Sequence, residues 1–461
     1  MRILFFYFSF ILLLTGCITK ELPKLKNSDL PADYKFKIEG VEEYDEEWWK
    51  SFGSDDLNQL IRIAKKNNFD LKLAIKTVEE ANLQYKKDRT TLFPEIDLNA
   101  GYERTKTKNK GFNAVTVNNY YLGLSASYEI DIWGKIREGV KLTELNVLEK
   151  KFDFDALFNT IAGEITTNWL NILAIFEKES LLNAKLKLLE NQKRLLENKY
   201  FSGEVSLKEL FLIDQQIIST ENTIKLLKNN KNIYENRIKI LLGYNNINVE
   251  LKDRILPEVN FDIKTPVPSE LIRLRPDIRL SEVNLMKSFA AYKISRLERF
   301  PTFSISASYR YSSNEISSIF DNWVLNIAAN LFYPLIDFNK RKYNELINKI
   351  KVDEAFINYK KTVYQAVVDI ENGFLNISNS LSQLETTKKN LQKEEKQYQL
   401  IKLKYLSGEN SLIDLISEEL KLIDYKLDLI DKKLSYLESL VSFYKALGGR
   451  YYKEVKNGKE Q

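Results

Sequence analysis

The sequence predicts a mixed α and β membrane protein whose chain is an internal duplication. Three observations lead to this prediction. A nine-residue segment and several residues before it recur 205 to 207 positions later, and two long stretches carry no proline. In addition, four segments of about ten residues alternate apolar with polar side chains. We therefore expect two copies of one unit that combines short strands with very long helices.

Composition excludes several classes of function. The chain has 461 residues, 69 Lys and Arg against 64 Asp and Glu, a net charge of +5, one Cys and no His. Without His it cannot build a Ser-His-Asp or Cys-His site, and one Cys cannot form an internal disulfide or a thiolate zinc cluster. The near balance of charge is not typical of a nucleic-acid-binding surface. We expect no enzyme activity, no catalytic residues, no metal site and no nucleic-acid partner.

The amino terminus predicts a lipid anchor. Residues 3–14 are almost wholly apolar after a short basic start, which fits a signal-peptide core and is too short for a membrane span. A Leu-Thr-Gly-Cys motif that ends at Cys17 resembles a bacterial lipobox. We expect a signal peptide over 1–16 and, on Cys17, a diacylglycerol and an N-acyl chain but no other cofactor. In the lipoproteins that this motif resembles, Asp after the Cys retains the protein at the inner membrane, so Ile18 favours the outer membrane. The alternative for Cys17 is an ordinary buried Cys in a short N-terminal helix.

The duplication divides the chain into two halves. Lys199–Leu207 matches Lys404–Leu412 at seven of nine positions, and Phe93-Pro94 recurs as Phe300-Pro301. Chance similarity between helical stretches would not keep one register over several elements, so we interpret the pattern as a tandem repeat. The predicted segments after the signal peptide are an anchor and extended segment 17–50, repeat 1 over 51–256, a linker 257–267, repeat 2 over 268–450 and a tail 451–461.

Four alternating segments predict strands with one apolar face. Their expected bounds are about 95–105, 120–130, 302–312 and 322–332. In the third segment, Phe303, Ile305 and Ala307 alternate with serines. Tyr, Trp and Phe gather at the ends of the segments, which is typical of the aromatic girdles of membrane barrels. The alternative is half of a soluble β-sandwich, because Ser and Asn on the second face suit bulk solvent as well as a wet lumen.

The stretches without proline predict long helices. The expected bounds are 135–201, 205–242, 277–300, 339–406 and 410–447. The two longest would each extend roughly 100 Å at 1.5 Å per residue. Leu415, Leu422 and Leu429 repeat every seven residues, and a second apolar series that includes Ile416 and Ile423 runs beside them. Two such faces on one helix indicate packing on both sides, as in a closed cylinder of coiled-coil hairpins.

The number of strands has a consequence for assembly. The smallest outer-membrane barrels use about eight strands, and an open sheet edge is not tolerated in lipid. Four strands therefore predict an oligomer in which several chains complete one barrel. Such a ring would also collect the helices of all subunits around one axis. A β-barrel continued by a helical tube is the architecture of a conduit.

Four further motifs carry a family resemblance. They are Trp48-Trp49-Lys50-Ser51-Phe52, Arg275-Pro276-Asp277-Ile278-Arg279, Asp131-Ile132-Trp133-Gly134-Lys135 and Asp337-Phe338-Asn339-Lys340. Together with the lipobox and the repeat, they resemble the TolC-like outer membrane efflux proteins, in particular the lipoprotein branch that serves resistance-nodulation-division pumps. Asn339 stands where that family usually has Gly. The resemblance covers residues 46–450 and implies a homotrimer, in which four strands per subunit form one transmembrane β-barrel continued by a long periplasmic α-helical barrel.

The resemblance also implies a function and partners. The chain would be the outer membrane exit duct of a tripartite efflux system, passively exporting small molecules such as drugs. Its partners would be a periplasmic adaptor protein, an inner-membrane resistance-nodulation-division pump and outer membrane lipid. The alternatives are a channel for type I protein secretion and, from a different class, a lipid-anchored coiled-coil scaffold. The sequence does not predict the exported substrate.

Two kinds of site residue follow from the same resemblance. The turns between helices would contact the adaptor through Ser202, Gly203, Glu204, Ser407, Gly408 and Glu409. The alternative is that the two glycines only form turns. Asp414 and Glu209, each six residues after a turn glycine, would form the acidic constriction of the closed tunnel. Their alternative role is that of ordinary solvated helix carboxylates.

Overall fold

The computed structural model describes residues 44–45, 47–243, 251–259, 275–449 and 451–452. The predicted signal peptide 1–16, the lipidation site Cys17, most of the linker 257–267 and most of the tail 451–461 lie outside the described residues. The described chain divides into two compact units. The first comprises residues 84–146 and 281–360, and the second holds the remaining described residues.

Helices and strands alternate in the order that the duplication predicts. The helices are α1 (Asp55–Asn67), α2 (Phe69–Arg89), α3 (Lys135–Phe201), α4 (Leu207–Leu241), α5 (Pro276–Leu297), α6 (Lys340–Leu406) and α7 (Leu412–Ala446). The strands are β1 (Tyr44–Asp45), β2 (Glu95–Thr107), β3 (Val115–Ile130), β4 (Thr302–Ser313), β5 (Trp323–Phe332) and β6 (Tyr451–Tyr452). Helices α3 and α6 both have 67 residues, and α4 and α7 both have 35. The predicted duplicated, mixed α and β fold class is confirmed.

The first unit contains one four-stranded antiparallel sheet in the order β2-β3-β4-β5. The central pair β3–β4 joins the two repeats, with Ala126 opposite Ala307. Because neighbouring positions point to opposite faces, this register collects most apolar residues of the four strands on one face and most Ser and Asn residues and the acidic residues on the other. Arg104 and Lys106 of β2 lie on the apolar face. The outer edges of β2 and β5 have no strand partner within the described residues.

The connection between the repeats in this sheet is reinforced by Trp133. Its indole stacks on Phe300 at 4.8 Å between ring centroids and donates an Nε1–H hydrogen bond of 2.8 Å to the carbonyl oxygen of Pro301. Trp133 follows β3, whereas Phe300 and Pro301 precede β4. A residue just after the strands of repeat 1 therefore contacts the chain directly before the strands of repeat 2 begin.

Each long helix begins after a residue in the left-handed conformation. Gly134 has φ of 85° and its counterpart Asn339 has φ of 67°. Asn accepts this region more readily than most residues other than Gly, because its short side chain can bond locally. The carboxylates of Asp131 and Asp337 accept backbone N–H bonds at these starts, 3.0 Å from Ile136 and 3.1 Å from Asn339. The departure from the usual Gly at 339 therefore preserves the turn.

Several predicted element ends were wrong. Strand β3 begins at Val115 instead of 120, because the β-branched residues 115–117 pair with the last residues of β2. Helices α4 and α7 begin at Leu207 and Leu412, two residues later than expected, because the preceding Ser206 and Ser411 are extended N-cap residues. The two-residue pair of β1 with β6 was not predicted, since two residues carry no periodicity.

The second unit is a packed set of helices. Trp48 is fully buried, stacks on Tyr444 at 5.4 Å and donates its Nε1–H to Asn159 at 3.2 Å. Arg275 binds Asp277 and Asp369 at 2.7 and 3.1 Å and donates a 3.0 Å hydrogen bond to the carbonyl oxygen of Ala446. Of the helices that the structure describes, none has a stretch long and apolar enough to cross a bilayer.

Two glycines inside the long helices allow close packing on α7. A Cβ atom on Gly163 of α3 would lie 2.6 Å from Cδ of Lys445, and one on Gly373 of α6 would lie 2.7 Å from the ring of Phe443. Both helices continue without interruption through these positions. Their glycines therefore serve the approach of α7 to α3 and to α6.

A carboxyl pair lies between α6 and α7. Glu418 is 7% exposed and forms a 2.9 Å ion pair with Lys421, and Glu394 of α6 lies close enough to Glu418 to feel its charge. Among the described residues the Oε1 atom of Glu394 is buried without a hydrogen-bond partner. Burial, followed by the negative charge of Glu418, raises the pKa of Glu394 above its ordinary value of 4.5.

This pair predicts a pH dependence of stability. A carboxyl with a raised pKa in the folded state binds its proton more tightly there, so its stabilising contribution is present below pH 4.5 and is lost as the pH rises through the raised pKa. We expect Glu394→Gln to remove this loss and to raise the melting temperature at neutral pH, as measured by circular dichroism in detergent over a pH series.

Glu395→Gln is the matched control, because Glu395 is the adjacent exposed carboxylate. It should follow the wild-type pH profile. A Glu394→Gln profile that also parallels the wild type would contradict a proton held between these helices.

Candidate functional site at the helical turns

The turn that joins α3 to α4 contains three predicted contact residues. The backbone N–H of Glu204 donates to the carbonyl oxygen of Lys199 at 2.8 Å, and that of Gly203 donates to Tyr200 at 3.0 Å. Gly203 has φ of 77°, and a Cβ atom there would meet nothing within 4 Å. These two bonds close the carbonyl end of the helix, and the backbone angle rather than lack of space explains the Gly.

The turn that joins α6 to α7 has the same geometry. Glu409 N–H donates to Lys404 at 2.9 Å, Gly408 N–H donates to Tyr405 at 3.1 Å, and Gly408 has φ of 82°. The hydroxyl of Ser407 lies 3.0 Å from the carbonyl oxygen of Lys404, as Ser202 does from Lys199 in the first turn. All six predicted turn residues are thus exposed at two equivalent helix ends.

Both predicted constriction residues cap their own helices. The Asp414 carboxylate accepts the backbone N–H and the hydroxyl of Ser411 at 2.9 and 2.8 Å, and Ser411 Oγ accepts the backbone N–H of Asp414 at 3.1 Å. The Glu209 carboxylate accepts the backbone N–H of Ser206 at 3.0 Å and also bonds its hydroxyl. These are capping boxes, which satisfy backbone groups that a helix start leaves unpaired.

The capping bonds also set the charge of the two carboxylates. The hydrogen bond from the Ser206 hydroxyl lowers the pKa of Glu209, and that from Ser411, together with its backbone N–H, lowers the pKa of Asp414. Lys199 of α3 lowers the pKa of Asp414 further by its charge. Both side chains are exposed. Each turn therefore presents a fixed negative charge at neutral pH.

The two turns lie at the same end of the helical unit. Leu189 of α3, Ile213 of α4, and Ile416 and Leu420 of α7 form one buried cluster. Gln192 of α3 donates a 3.2 Å hydrogen bond to the Ser417 hydroxyl of α7. Packing therefore unites the ends of both hairpins and brings Lys199 near Asp414. The carboxylates of Glu209 and Asp414 each bond to the N-cap serine of their own helix.

Sequence reasoning missed an apolar component of the turns. Phe201 is 85% exposed and Leu406 is 71% exposed, at equivalent last positions of α3 and α6. Phe211, in the second turn of α4, is 58% exposed. Large apolar side chains left in solvent are typical of contact surfaces. The signal was present in the sequence, because both repeats place a large apolar residue directly before a polar turn.

The strands present a second candidate surface, the polar face of the sheet. It carries Asn99 bonded to Ser125 at 2.9 Å on neighbouring strands, and serines at alternate positions of β4. No group of three or more acidic or Cys side chains is arranged to hold a metal ion among the described residues. Cys17 lies outside them, so its lipidation stays a prediction.

Comparisons with known proteins agree with this architecture. A family model described as outer membrane efflux protein matches residues 60–244 and 267–449. The chain is 24% identical over 449 residues to the pyoverdine export outer membrane protein OpmQ of Pseudomonas aeruginosa, covering 95% of each protein. It is 24% identical to the probable outer membrane lipoprotein SilC of Salmonella typhimurium, over 89% of this chain and 91% of SilC.

The fold also matches solved structures. The outer membrane channel CmeC of Campylobacter jejuni superimposes with a TM-score of 0.82 at 26% identity, covering 93% of both chains. The family model covers most of the chain and both of its repeats, which confirms the resemblance drawn from the motifs. This chain belongs to the outer membrane efflux protein family.

Proposed function

We propose that this protein is the exit duct of a tripartite efflux system, in which it passes small molecules from an inner-membrane resistance-nodulation-division pump and a periplasmic adaptor to the cell exterior. The observation that carries the proposal is a four-stranded sheet with one apolar and one polar face, whose two edges have no strand partner in the part of the chain that the structure describes. Such a sheet is the repeating part of a membrane barrel with a polar lumen.

Closure of the barrel requires other copies of the chain. Edge strands in lipid must pair, because an unpaired N–H or C=O there costs several kcal/mol. Two copies would supply only the minimum of about eight strands, and a channel wide enough for solutes needs more. We therefore propose a homotrimer, as the family resemblance implies. Edge β2 of each subunit then pairs with edge β5 of the next.

The helical turns are the proposed contact with the adaptor. Ser202, Gly203 and Glu204 in one turn and Ser407, Gly408 and Glu409 in the other are exposed and present charge and backbone, and Phe201 and Leu406 add apolar surface. Exposed apolar anchors framed by polar groups are typical of protein contact sites. The lipid on Cys17 would tether the subunit to the outer membrane beside the barrel.

The turns are also the proposed gate. Asp414, and Glu209 at the equivalent position of repeat 1, carry fixed charge close to the turns. Threefold repetition would bring like charges together around the tunnel, where they repel one another and attract cations. A gate at this place opens when the capped ends of α4 and α7 move outward together with their turns.

The proposed adaptor contact predicts that Phe201→Ser and Leu406→Ser impair adaptor binding but not assembly of the channel. Removing these exposed apolar side chains should weaken adaptor binding about tenfold. Trimer formation and insertion should be unaffected, because neither side chain is part of a core. Binding to the purified cognate adaptor and restoration of drug efflux in a strain that lacks the channel measure the two effects.

Glu221→Ser is the control, an exposed position in α4 away from the turns. Wild-type efflux with both turn variants would contradict the adaptor site. Export of a protein substrate, without any small-molecule efflux, would favour type I secretion instead.

A gate at Asp414 implies that the negative charge of this residue limits single-channel conductance, and that its role in capping α7 does not. Asp414→Asn should raise single-channel conductance in planar bilayers by roughly twofold or more. Ser411→Ala weakens the same capping box but keeps the carboxylate, so its conductance should match the wild type. Equal conductance of Asp414→Asn and wild type would overturn the constriction, and equal increases in both variants would assign the effect to helix capping.

A further inference from the structure

Arg310 is a cation on the polar face of the sheet. It lies in β4, and its guanidinium carbon is 4.2 Å from the ring centroid of Tyr121 on β3. No carboxylate forms an ion pair with Arg310 among the residues that the structure describes. Stacking on an aromatic face positions a guanidinium while leaving its N–H donors and its charge available.

Two glycines make the stack possible. Gly101 of β2 is directly opposite Tyr121, and a Cβ atom at 101 would lie 2.5 Å from the Tyr121 ring. Gly123 is directly opposite Arg310, and a Cβ atom there would lie 2.6 Å from the carbonyl oxygen of Tyr309 and 2.9 Å from Cα of Arg310. The Tyr121 ring therefore covers Gly101, and on the β3 side Arg310 has no opposing side chain to displace it from the ring, whereas Val324 is opposite it on β5.

The surrounding charges make Arg310 distinctive. On the polar face, β2 carries Glu95, Asp97 and Glu103, and β3 carries Glu129, which pairs with Lys135 at 2.7 Å. Arg310 is the one basic residue on this face among the described strand residues. By register it is level with Gly123 and Asn99, one polar-face level beyond Asp97. An isolated guanidinium thus interrupts an otherwise acidic surface.

We propose that Arg310, positioned by Tyr121, is a specificity-determining residue of the duct that favours anionic solutes. The favoured class is small organic anions with a carboxylate, sulfonate or phosphate group, because a guanidinium fork matches these planar or tripodal oxygens. The inference rests on the proposed function, which places the polar face in the lumen. Three copies would then place three such cations at one level of the barrel.

The test is the ion selectivity of purified protein in planar bilayers. The reversal potential is measured across a KCl gradient at low ionic strength, where the Debye length is about 30 Å and fixed charge acts across the lumen. We expect Arg310→Gln to lower the chloride-to-potassium permeability ratio about twofold, with a larger fall in Arg310→Glu and near wild-type behaviour in Arg310→Lys.

Tyr121 is a positioning residue, so its variants should change the permeability ratio in a different pattern from the Arg310 variants. Tyr121→Phe keeps the aromatic face and should keep the wild-type ratio. Tyr121→Leu leaves the charge but removes the stack, and its ratio should fall between those of wild type and Arg310→Gln. Arg104→Gln is the matched control, because it removes an equal charge from the opposite face of β2. Its ratio should equal that of the wild type.

Two results would overturn the inference in distinguishable ways. Wild-type current with an unchanged permeability ratio in Arg310→Gln would reject Arg310 as a selectivity residue and leave the duct intact. A complete absence of current from wild type and all variants, in protein that has inserted, would reject the channel itself and with it the inference.

Discussion

The unpaired edges of β2 and β5 are the constraint on which the rest of the structure depends. A hydrocarbon environment offers no water to satisfy the free N–H and C=O groups of an edge strand. Neither edge has a partner in the described chain, so the proposed assembly must supply one. Cyclic pairing of β2 with β5 removes every edge, and contact of the apolar face with lipid then leaves the polar face to line the lumen.

Because the chain is an internal duplication, the same local hydrogen-bonding arrangement occurs in both repeats. One sequence of turn, N-cap serine and N3 carboxylate serves both hairpins, with nearly identical hydrogen bonds and glycine backbone angles. The helices that these turns join have equal lengths in the two repeats. Where the repeats differ, as at Gly134 and Asn339, the backbone conformation is preserved. The two repeats therefore form the same hairpin with the same local contacts.

Local pattern explains why much of this architecture was predictable. Alternation located all four strands of the sheet, since period-two patterning survives wherever one face is apolar. The bounds of α3 coincide with the predicted 135–201, because the region has no proline and ends at a polar turn with Gly. The turn residues followed from the repeat. In contrast, α4 and α7 begin two residues later than predicted, because Ser206 and Ser411 are N-cap residues in extended conformations. Hydrophobic periodicity does not detect such conformations.

Features that depend on long-range packing were beyond sequence reasoning. The pair Glu394–Glu418 and the stack of Arg310 on Tyr121 each join residues from different elements, and their geometry depends on register and helix contact. The capping role of Asp414 adds a local function to the charge that the family resemblance assigned to the gate. A carboxylate that caps a helix can also face a tunnel, which is why charge and capping need separate variants.

Cross-linking of the sheet edges tests closure by neighbouring copies most directly. Asn99→Cys in β2 is combined in turn with Cys at positions 324, 326, 328 and 330 of β5, which share its face of the sheet. In the control series, Ser125→Cys takes the place of Asn99→Cys. Ser125 belongs to β3, which lies inside the sheet and has no free edge. Closure by three copies predicts covalent trimers, and no larger species, at one or two adjacent β5 positions after oxidation in outer membranes. The absence of covalent trimers at all four positions, or an open-ended ladder of larger products, would contradict it.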